Sequence, residues 1–404
     1  MNNNKGKQGG AFLLGMLVSF VIWFVVTMIL LMGTLGVKVL IEGKNKGSQD
    51  LFTEEELEKI EHYMTMLDLY YYEDIEEGAV VDGILYGLME APGDPYTCYY
   101  TKEEMEETTQ SLSGVFQGIG AYLEMDFAAG YPKITGVIEG APASEVDIQP
   151  GDYIIKVDGE DVRNQTLTTV VSKVRGLPDT YVELTLNRNG EEVVVSVVRK
   201  DVQSPSVKYE LVEGKIAYIT IKEFADNTGD LFEEALLKVE SDKAEGILID
   251  LRGNPGGSLD AVVEVCNSIL PKGIIVYTED KYGEREEYLS DGKNEIDLPM
   301  VVLVDGNSAS ASEIMAGAIQ DYEKGTLVGT TTFGKGIVQR LFSYSDGSGG
   351  KLTVSRYFTP NGNNIHGIGI EPDVVVEFDG EAYKENSYDN QYEEALKILK
   401  EKME

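Results

Sequence analysis

Buried apolar runs alternate with helical segments along the chain beyond residue 200. The runs Ile216–Ile221, 246–251 and Met300–Val304 are short and almost wholly apolar, as buried strands are. Between them, segments 231–239 and 259–270 carry apolar residues at helical spacing. Because strands alternate with helices, this region predicts an α/β core with at least some parallel pairing.

Between residues 113 and 200 the pattern changes to short β runs, glycine-rich turns and one helix near 168–174. The stretch Gly118, Ile119, Gly120 and Ala121 is a glycine-punctuated loop that enters a strand. Its free N–H groups are suited to a terminal carboxylate, and the strand edge is suited to an extended peptide. This part predicts a small β-rich peptide-binding domain.

The first part of the chain contains an uncharged apolar run over residues 11–37. It exceeds the roughly 20 residues that span a bilayer, so we expect one transmembrane signal anchor, with a cleaved signal as the lesser alternative. Residues 1–10 would be a cytoplasmic tail and 38–50 a linker. The large acidic remainder would then lie outside the cytoplasm.

Helical patterns occur in residues 51–112 and again in the C-terminal segment 391–403. Thr53 and Glu56 form a capping-box pattern before an amphipathic helix, and a second helix is predicted near 76–89. This region, residues 51–112, is either a helical cap on a neighbouring domain or a dimerisation arm. The C-terminal segment 391–403 places its apolar residues on one helical face, and we expect it to pair with the N-terminal helices in a homodimer; that face carries Tyr392, Ala395, Leu396 and Leu399.

Composition excludes several classes of function. The chain has 404 residues and a net charge of -36, so a nucleic-acid partner is not expected. With only two His and no HExxH or CxxC pattern, no metal or other cofactor is expected. Cys98 and Cys266 are interpreted as buried thiols, with a disulfide between them as the lesser alternative.

Candidate chemistry lies in two stretches of the α/β region. Ser310 falls at a predicted strand-to-helix turn, where unpaired N–H groups could bind an oxyanion. Lys335 stands between two glycines, and on a strand it would share one face with Ile337 and Gln339. A lysine acts as a base only when neutral, and the segment 330–340 contains no carboxylate that would keep it charged.

Several motifs together resemble a known family. The stretch "IQPGDYIIKVDGEDV" is similar to part of a PDZ domain, and "LIDLRGNPGGSLD", "NSASASEIMAGAIQDY", "GTTTFGKGIVQ" and "GIGIEPDV" resemble the carboxyl-terminal processing serine peptidases. The resemblance implies that Ser310 is the nucleophile, Lys335 its general base and Gln339 the residue that orients the lysine. It further implies an oxyanion hole formed by the N–H groups of Ala311 and Gly257, with Gly256 as the alternative to Gly257.

The expected protein is therefore an α/β multidomain, membrane-anchored serine endopeptidase that cuts extracytoplasmic proteins near their C-termini. The PDZ domain (113–200) would bind the substrate carboxylate and gate a Ser-Lys core (201–380), which a C-terminal helix (381–404) follows. Arg175, after the PDZ helix, is a candidate reader of peptide binding, although the helix dipole alone also favours an arginine there. Two alternatives remain: a non-catalytic PDZ adaptor on a peptidase scaffold, and an enzyme that uses His366 as its base.

Overall fold

The structure, a computed structural model, describes residues 53–76 and 78–404. Along the chain it divides into two units, one ending at Ile84 and the other beginning at Leu85. The first unit contains helix α1 (Glu54–Tyr70) and the start of helix α2 (Ala79–Glu90). The predicted capping box is confirmed, since Thr53 and Glu56 bond each other's backbone N–H groups. No residue of α1 is buried.

The predicted membrane segment, residues 11–37, lies outside the described residues. Within residues 53–76 and 78–404, no helix has both the length and the hydropathy that crossing a membrane requires.

The β-rich domain predicted after residue 113 is present. Its sheet has the strand order β3-β4-β5-β7-β8, with the short β6 beside β5, and helix α4 packs against β3 and β5. The edge strand β3 therefore lies open beside α4, which is the arrangement that accepts an added peptide strand. The elements are β3 (Ala121–Asp126), β4 (Tyr131–Val137), β5 (Tyr153–Val157), β6 (Glu160–Asp161), α4 (Leu167–Val174), β7 (Tyr181–Arg188) and β8 (Glu191–Val198).

A two-stranded antiparallel ribbon enters and leaves this domain. It pairs β2 (Val115–Gly118) with β9 (Lys200–Gln203), and Gly118 faces Lys200 at its end. Helix α3 (Lys102–Ser113), which the sequence patterns did not predict, runs into the ribbon and ends at Gly114 in the left-handed conformation.

The α/β core is confirmed as a six-stranded sheet of order β10-β11-β12-β15-β16-β19, parallel except for β10. Helices α5, α6 and α7 bury one face of this sheet. Helix α9 buries the other. The elements are β10 (Val207–Val212), β11 (Ile216–Ile221), α5 (Thr228–Ser241), β12 (Gly246–Asp250), α6 (Leu259–Asn267), β15 (Met300–Val304), α7 (Ala311–Asp321), β16 (Thr326–Gly329), β19 (Val374–Val375), α8 (Gly380–Asn386) and α9 (Asn390–Met403).

A second, antiparallel sheet stands beside the core. It has the order β1-β18-β13-β14, and β17 forms a hairpin with β18. Its first strand, β1, comes from the stretch 51–112, for which the sequence predicts only helices. That stretch therefore contributes a strand to a sheet whose other strands come from the α/β region. The strands are β1 (Cys98–Tyr100), β13 (Gly273–Asp280), β14 (Arg285–Ser290), β17 (Ile337–Ser343) and β18 (Gly349–Phe358).

The C-terminal helix corrects one prediction. Ala395, Leu396 and Leu399 are buried against the parallel sheet, where they pack with Leu248, Val301 and Leu303 among others. The apolar face is therefore used within the chain and is not available to pair with the N-terminal helices of a second copy. Both cysteines are free: Cys266 is buried, which raises the pKa of its thiol, and Cys98 is half-buried.

Candidate active site

The turn between β15 and α7 holds Ser310 in a strained conformation. Its φ of 56° and ψ of -113° lie in a region that residues other than glycine rarely adopt. Such strain costs about 1–3 kcal/mol and persists only where the surroundings impose it. Ser310 directly precedes the first residue of α7, as the sequence predicted, and it faces a cleft of about 790 Å³.

The two neighbouring serines explain why this turn is rich in serine. The Ser308 hydroxyl donates to the Leu251 carbonyl at 2.8 Å, and the Ser312 hydroxyl donates to the Asn254 carbonyl at 3.0 Å. Both serines are fully buried. They attach the turn to the loop after β12 and leave the middle serine at the cleft.

Backbone N–H groups from two loops are available beside Ser310. In the described part of the chain, the N–H groups of Ala311 and Gly257 have no partner, whereas the Gly256 N–H donates to Asn254 Oδ1 at 2.8 Å. This favours Gly257 over Gly256 as a candidate oxyanion donor. Gly257 has a φ of 145°, and a Cβ there would lie 2.1 Å from the Phe224 carbonyl oxygen, so only glycine fits.

Lys335 lies in the same cleft. Its side chain is half-buried, and its Nζ is 4.8 Å from the centroid of the Tyr96 ring. Burial and the charge of Lys351 lower the pKa of Lys335, while the charges of Asp94 and Glu313 act in the opposite direction. The segment 330–340 contains no carboxylate, but the fold brings two carboxylates from elsewhere in the chain close to Lys335.

The predicted strand geometry of Lys335 is wrong. Strand β17 begins at Ile337, so the lysine precedes the strand, and a bulge between Val338 and Gln339 breaks the alternation of faces. Gln339 does line the cleft, but its amide nitrogen donates to the Tyr96 carbonyl at 2.7 Å.

Glu313, on the first turn of α7, is the functional residue that the sequence reasoning missed. One carboxylate oxygen accepts from the N–H groups of Ser310 (2.9 Å) and Lys335 (2.8 Å). The other accepts from the Thr332 hydroxyl (2.6 Å) and the Gly334 N–H (2.7 Å). The side chain is 0% exposed. A single buried carboxylate thus holds the serine turn and the lysine loop together.

Tyr357 completes the support from β18. Its hydroxyl donates to the Ser310 carbonyl at 2.9 Å, and burial raises the pKa of the phenol well above its ordinary value. The other wall of the cleft is the C-terminal half of α3, with Thr108 and Leu112.

Two further predicted residues lie outside the cleft. His366 is exposed, although its backbone packs against Gly336 beside the lysine. Arg175 follows α4, and its guanidinium lies 5.8 Å from the centroid of the Phe116 ring, where it lines a small pocket with Glu107 and Glu223. No group of His, Cys, Asp and Glu within residues 53–76 and 78–404 could hold a metal ion.

Comparison with known proteins agrees with the division into a β-rich domain and an α/β core. Residues 215–376 match peptidase family S41, residues 133–188 match the PDZ domain, and residues 23–104 match the activating protease CtpB N-terminal domain.

Curated relatives resemble most of the chain. It is 37% identical over 340 residues to the "Probable CtpA-like serine protease" of Staphylococcus aureus (strain COL), covering 83% of this chain and 67% of that protein. The protein of the same name from Staphylococcus saprophyticus is 35% identical over 366 residues, covering 89% and 73%. A crystal structure from Bacteroides fragilis assigned to the S41 proteases has the same fold, with a TM-score of 0.52 and 17% identity over 85% of this chain and 97% of that one.

The fold and the motifs define a serine-type peptidase with a PDZ domain. The chain belongs to peptidase family S41, which contains the carboxyl-terminal processing proteases.

Replacing Glu313 by Gln tests whether the carboxylate positions the site. The amide cannot accept all four hydrogen bonds, so we expect a loss of about 2–4 kcal/mol in the free energy of unfolding. We also expect kcat to fall by at least about 100-fold, because misplacement by about an ångström is enough for such a loss. Peptidase assays and thermal unfolding measure both.

The effect of the Glu313 charge on Lys335 can be separated from the effect of Glu313 on the positions of the two loops. Removing the Glu313 charge lowers the pKa of Lys335 and makes a neutral amine more abundant, so charge alone would not reduce activity. Glu323→Gln, at an exposed position just beyond the C-terminal end of the same helix, is the control and should change neither quantity. If Glu313→Gln kept its activity, the carboxylate would not be a positioning group.

Proposed function

We propose that this S41 peptidase cleaves peptide bonds with a Ser310–Lys335 dyad, with Gly257 and Ala311 as the oxyanion hole. The observation that carries the proposal is the strained Ser310, held at a helix start beside two unpaired N–H groups and in one cleft with a lysine of lowered pKa.

The chemistry follows from these positions. Neutral Lys335 takes the proton of the Ser310 hydroxyl while Oγ attacks the scissile carbonyl carbon. The carbonyl oxygen becomes an oxyanion that accepts from the N–H groups of Gly257 and Ala311. The Lys335 ammonium then gives its proton to the leaving amine, the C–N bond breaks, and water hydrolyses the acyl-enzyme through the same lysine.

Gln339 belongs to the proposal in a second arrangement of the cleft. At present its amide nitrogen bonds the Tyr96 carbonyl. We propose that substrate binding frees this amide and lets its oxygen orient the lysine without adding a charge. His366 is the weaker candidate for a base, because its exposed imidazole is not among the groups that line the cleft.

Lys335→Arg tests the dyad. Guanidinium stays protonated throughout the accessible pH range, so a general base would be lost although charge and length are kept. We expect a fall of roughly 10²–10⁴-fold in kcat, similar to that of Lys335→Ala. Ser310→Ala should abolish cleavage, and Lys293→Arg on the surface should have no effect. More than a few per cent of wild-type activity in Lys335→Arg would contradict the dyad and favour His366.

The PDZ domain is proposed to bind substrate C-termini at Gly118–Ala121. Ile119 and Gly120 use their carbonyls within the domain, accepting from Ala143 and Ile138, and their N–H groups have no partner in the described part of the chain. Two adjacent free N–H groups beside an open edge strand suit a carboxylate.

Arg175 is proposed to report peptide binding to the core. It lies over Phe116 on β2, the strand that leads into the PDZ domain, and it shares a pocket with Glu107 of α3, the helix that forms one wall of the cleft. A bound peptide would shift the population toward the aligned site, so the domain would act as a gate.

The gate can be tested by removing the domain at its narrowest point. Gly118 and Lys200 face each other at the end of the β2–β9 ribbon, so an Asn-Gly turn can replace residues 119–199. We expect the intact enzyme to cut an unfolded protein several-fold more slowly when its C-terminus is amidated. The shortened enzyme should cut both forms alike.

Arg175→Gln should retain peptide binding but lose the difference between free and amidated substrates. The control is Arg163→Gln, elsewhere on the domain. An intact enzyme that ignores amidation would show that the domain does not sense the carboxylate.

We further propose that the uncharged run 11–37 anchors the chain in a membrane with the peptidase outside the cytoplasm, where it would process proteins with free C-termini. The proposal rests on the length of this run and on the acidic remainder.

A homodimer through α1 is also proposed. The support is that isolated helices of this length are marginal in water and that α1 buries none of its residues in the described part of the chain. One of its faces repeats Leu57, Met64, Leu67 and Tyr71, each at least 40% exposed.

The dimer can be tested by sedimentation of a fragment spanning residues 48–404. We expect dimers at micromolar concentration, and monomers after the double change Met64→Glu and Leu67→Glu. Glu55→Lys, on the opposite face of α1, should leave the dimer intact. A monomeric wild-type fragment would contradict this proposal.

A further inference from the structure

Lys351 is a second lysine in the catalytic cleft, and the mechanism above does not use it. It lies on β18, is half-buried and lines the same cavity as Ser310 and Lys335. Strand register defines its direction independently: Lys351 pairs with Leu341, and Thr353 pairs with Gln339. Because cross-strand partners point to one face and alternate residues share it, Lys351 lies on the face of the hairpin that carries Gln339.

The Lys351 side chain lies near an aromatic ring and has no acidic partner among the described residues. Strand β1 pairs with β18 so that Cys98 faces Lys351, and the lysine Nζ lies 5.5 Å from the centroid of the Tyr100 ring. An aromatic face at this distance stabilises an ammonium. Across residues 53–76 and 78–404, Lys351 makes neither an ion pair nor a side-chain hydrogen bond. Lys351 therefore lies at the cleft without an acidic partner in the described part of the chain, although the chain contains 70 acidic residues.

Lys335 stands between opposing charges. Asp94 and Glu313 favour its protonated form, whereas burial and Lys351 disfavour that form. Glu313 is fully committed to holding two loops, so its charge cannot be removed without disturbing the site. Besides burial, a nearby positive charge is therefore the remaining means of offsetting the carboxylates and keeping the amine neutral. Placement beside another cation is an established way of activating a lysine.

We propose that Lys351 is a positioning residue of the peptidase reaction: its fixed ammonium repels a proton on Lys335 and so keeps that amine available as the base. The inference rests on the proposed Ser310–Lys335 dyad. The same repulsion acts later in the reaction, because it makes the Lys335 ammonium a better proton donor to the leaving amine.

Other charged and titratable groups around this pair have different positions. Among the described residues, the groups at the cleft or beside its two lysines are Asp94 and Tyr96 before β1, Cys98 and Tyr100 on β1, Glu107 on α3, Asp226 before α5, Glu313 on α7, Arg340 on β17, Tyr357 on β18 and His366 beside Gly336. Of these, only Asp94 and Glu313 act on Lys335 together with Lys351. Arg340 is exposed and lies next to Gln339, so it provides a matched positive charge on the same hairpin.

The test is the pH dependence of Ser310 acylation in the full chain. We would measure the second-order rate of inactivation by a fluorophosphonate, and kcat/KM for an unfolded substrate, between pH 5 and about pH 10. Removing the Lys351 charge should raise the pKa of Lys335. In Lys351→Met the acidic limb of both profiles should therefore move to higher pH by roughly one unit, a tenfold lower rate on that limb.

Four further results are expected if repulsion is the cause. Lys351→Arg, which keeps the charge, should follow the wild-type profile, and Arg340→Met should not move the limb. The plateau at high pH should be nearly the same in Lys351→Met, since a neutral Lys335 is then abundant in both proteins. Added salt should move the limb to higher pH in the wild type and less in Lys351→Met, because it screens the repulsion.

The opposite outcomes overturn the inference. A limb that does not move in Lys351→Met, or one that moves equally in Lys351→Arg, would show that the charge of Lys351 does not act on the base. A lowered plateau without a shift would indicate a structural role only. If Lys351→Met does not fold, Lys351→Gln provides the same comparison.

Failure of the dyad itself would look different. Lys335→Ala should react with the fluorophosphonate very slowly at every pH. If it reacted as the wild type does, the dyad would be wrong. A silent Lys335→Ala combined with an unmoved limb in Lys351→Met would reject only the role of Lys351.

Discussion

The carboxylate of Glu313 is the interaction on which the catalytic arrangement depends. The serine turn follows β15 and the lysine loop follows β16, and neither loop has a regular element that fixes it to the other. Four hydrogen bonds to one fully buried side chain supply that connection. Each oxygen of the Glu313 carboxylate accepts two hydrogen bonds, so the protein itself stabilises the buried charge. The strain at Ser310 can be maintained because this network fixes its N–H and Tyr357 fixes its carbonyl.

The same choice creates an electrostatic difficulty for the proposed dyad, in which Lys335 acts as a base only when it is neutral. A buried anion near the amine favours protonation, and Asp94 adds to it. The fold offsets this with burial of the Lys335 side chain and with a second cation on the neighbouring hairpin. The stretch before the PDZ domain is therefore part of the peptidase site, since it provides Asp94, Tyr96 and one wall of the cleft.

Much of this site could be predicted from the sequence, and the limits have physical causes. Ser310 was predictable because an apolar strand, a turn and an apolar helix are local patterns. Three of the six core strands, β11, β12 and β15, were predicted nearly to the residue for the same reason. Tyr96 and Lys351 were not, because their contacts with Gln339 and Lys335 depend on antiparallel pairing between segments far apart in the chain. Glu313 did leave a signal: an acidic residue three positions after a serine, in a helix that is otherwise apolar.

The C-terminal helix α9 has a consequence for the order in which the protein matures. It packs on one face of the parallel sheet over β12, β15 and β16, and the Asp389 carboxylate at its start pairs with Arg252 at 2.8 Å, in the loop that also carries Gly257. During synthesis, Leu248, Val301 and Leu303 would remain bare until residues 390–403 leave the ribosome. The loop that carries Gly257 would lack the Arg252–Asp389 ion pair for the same period. The loop beside Ser310 would therefore reach its final contacts only after this helix has packed on the sheet.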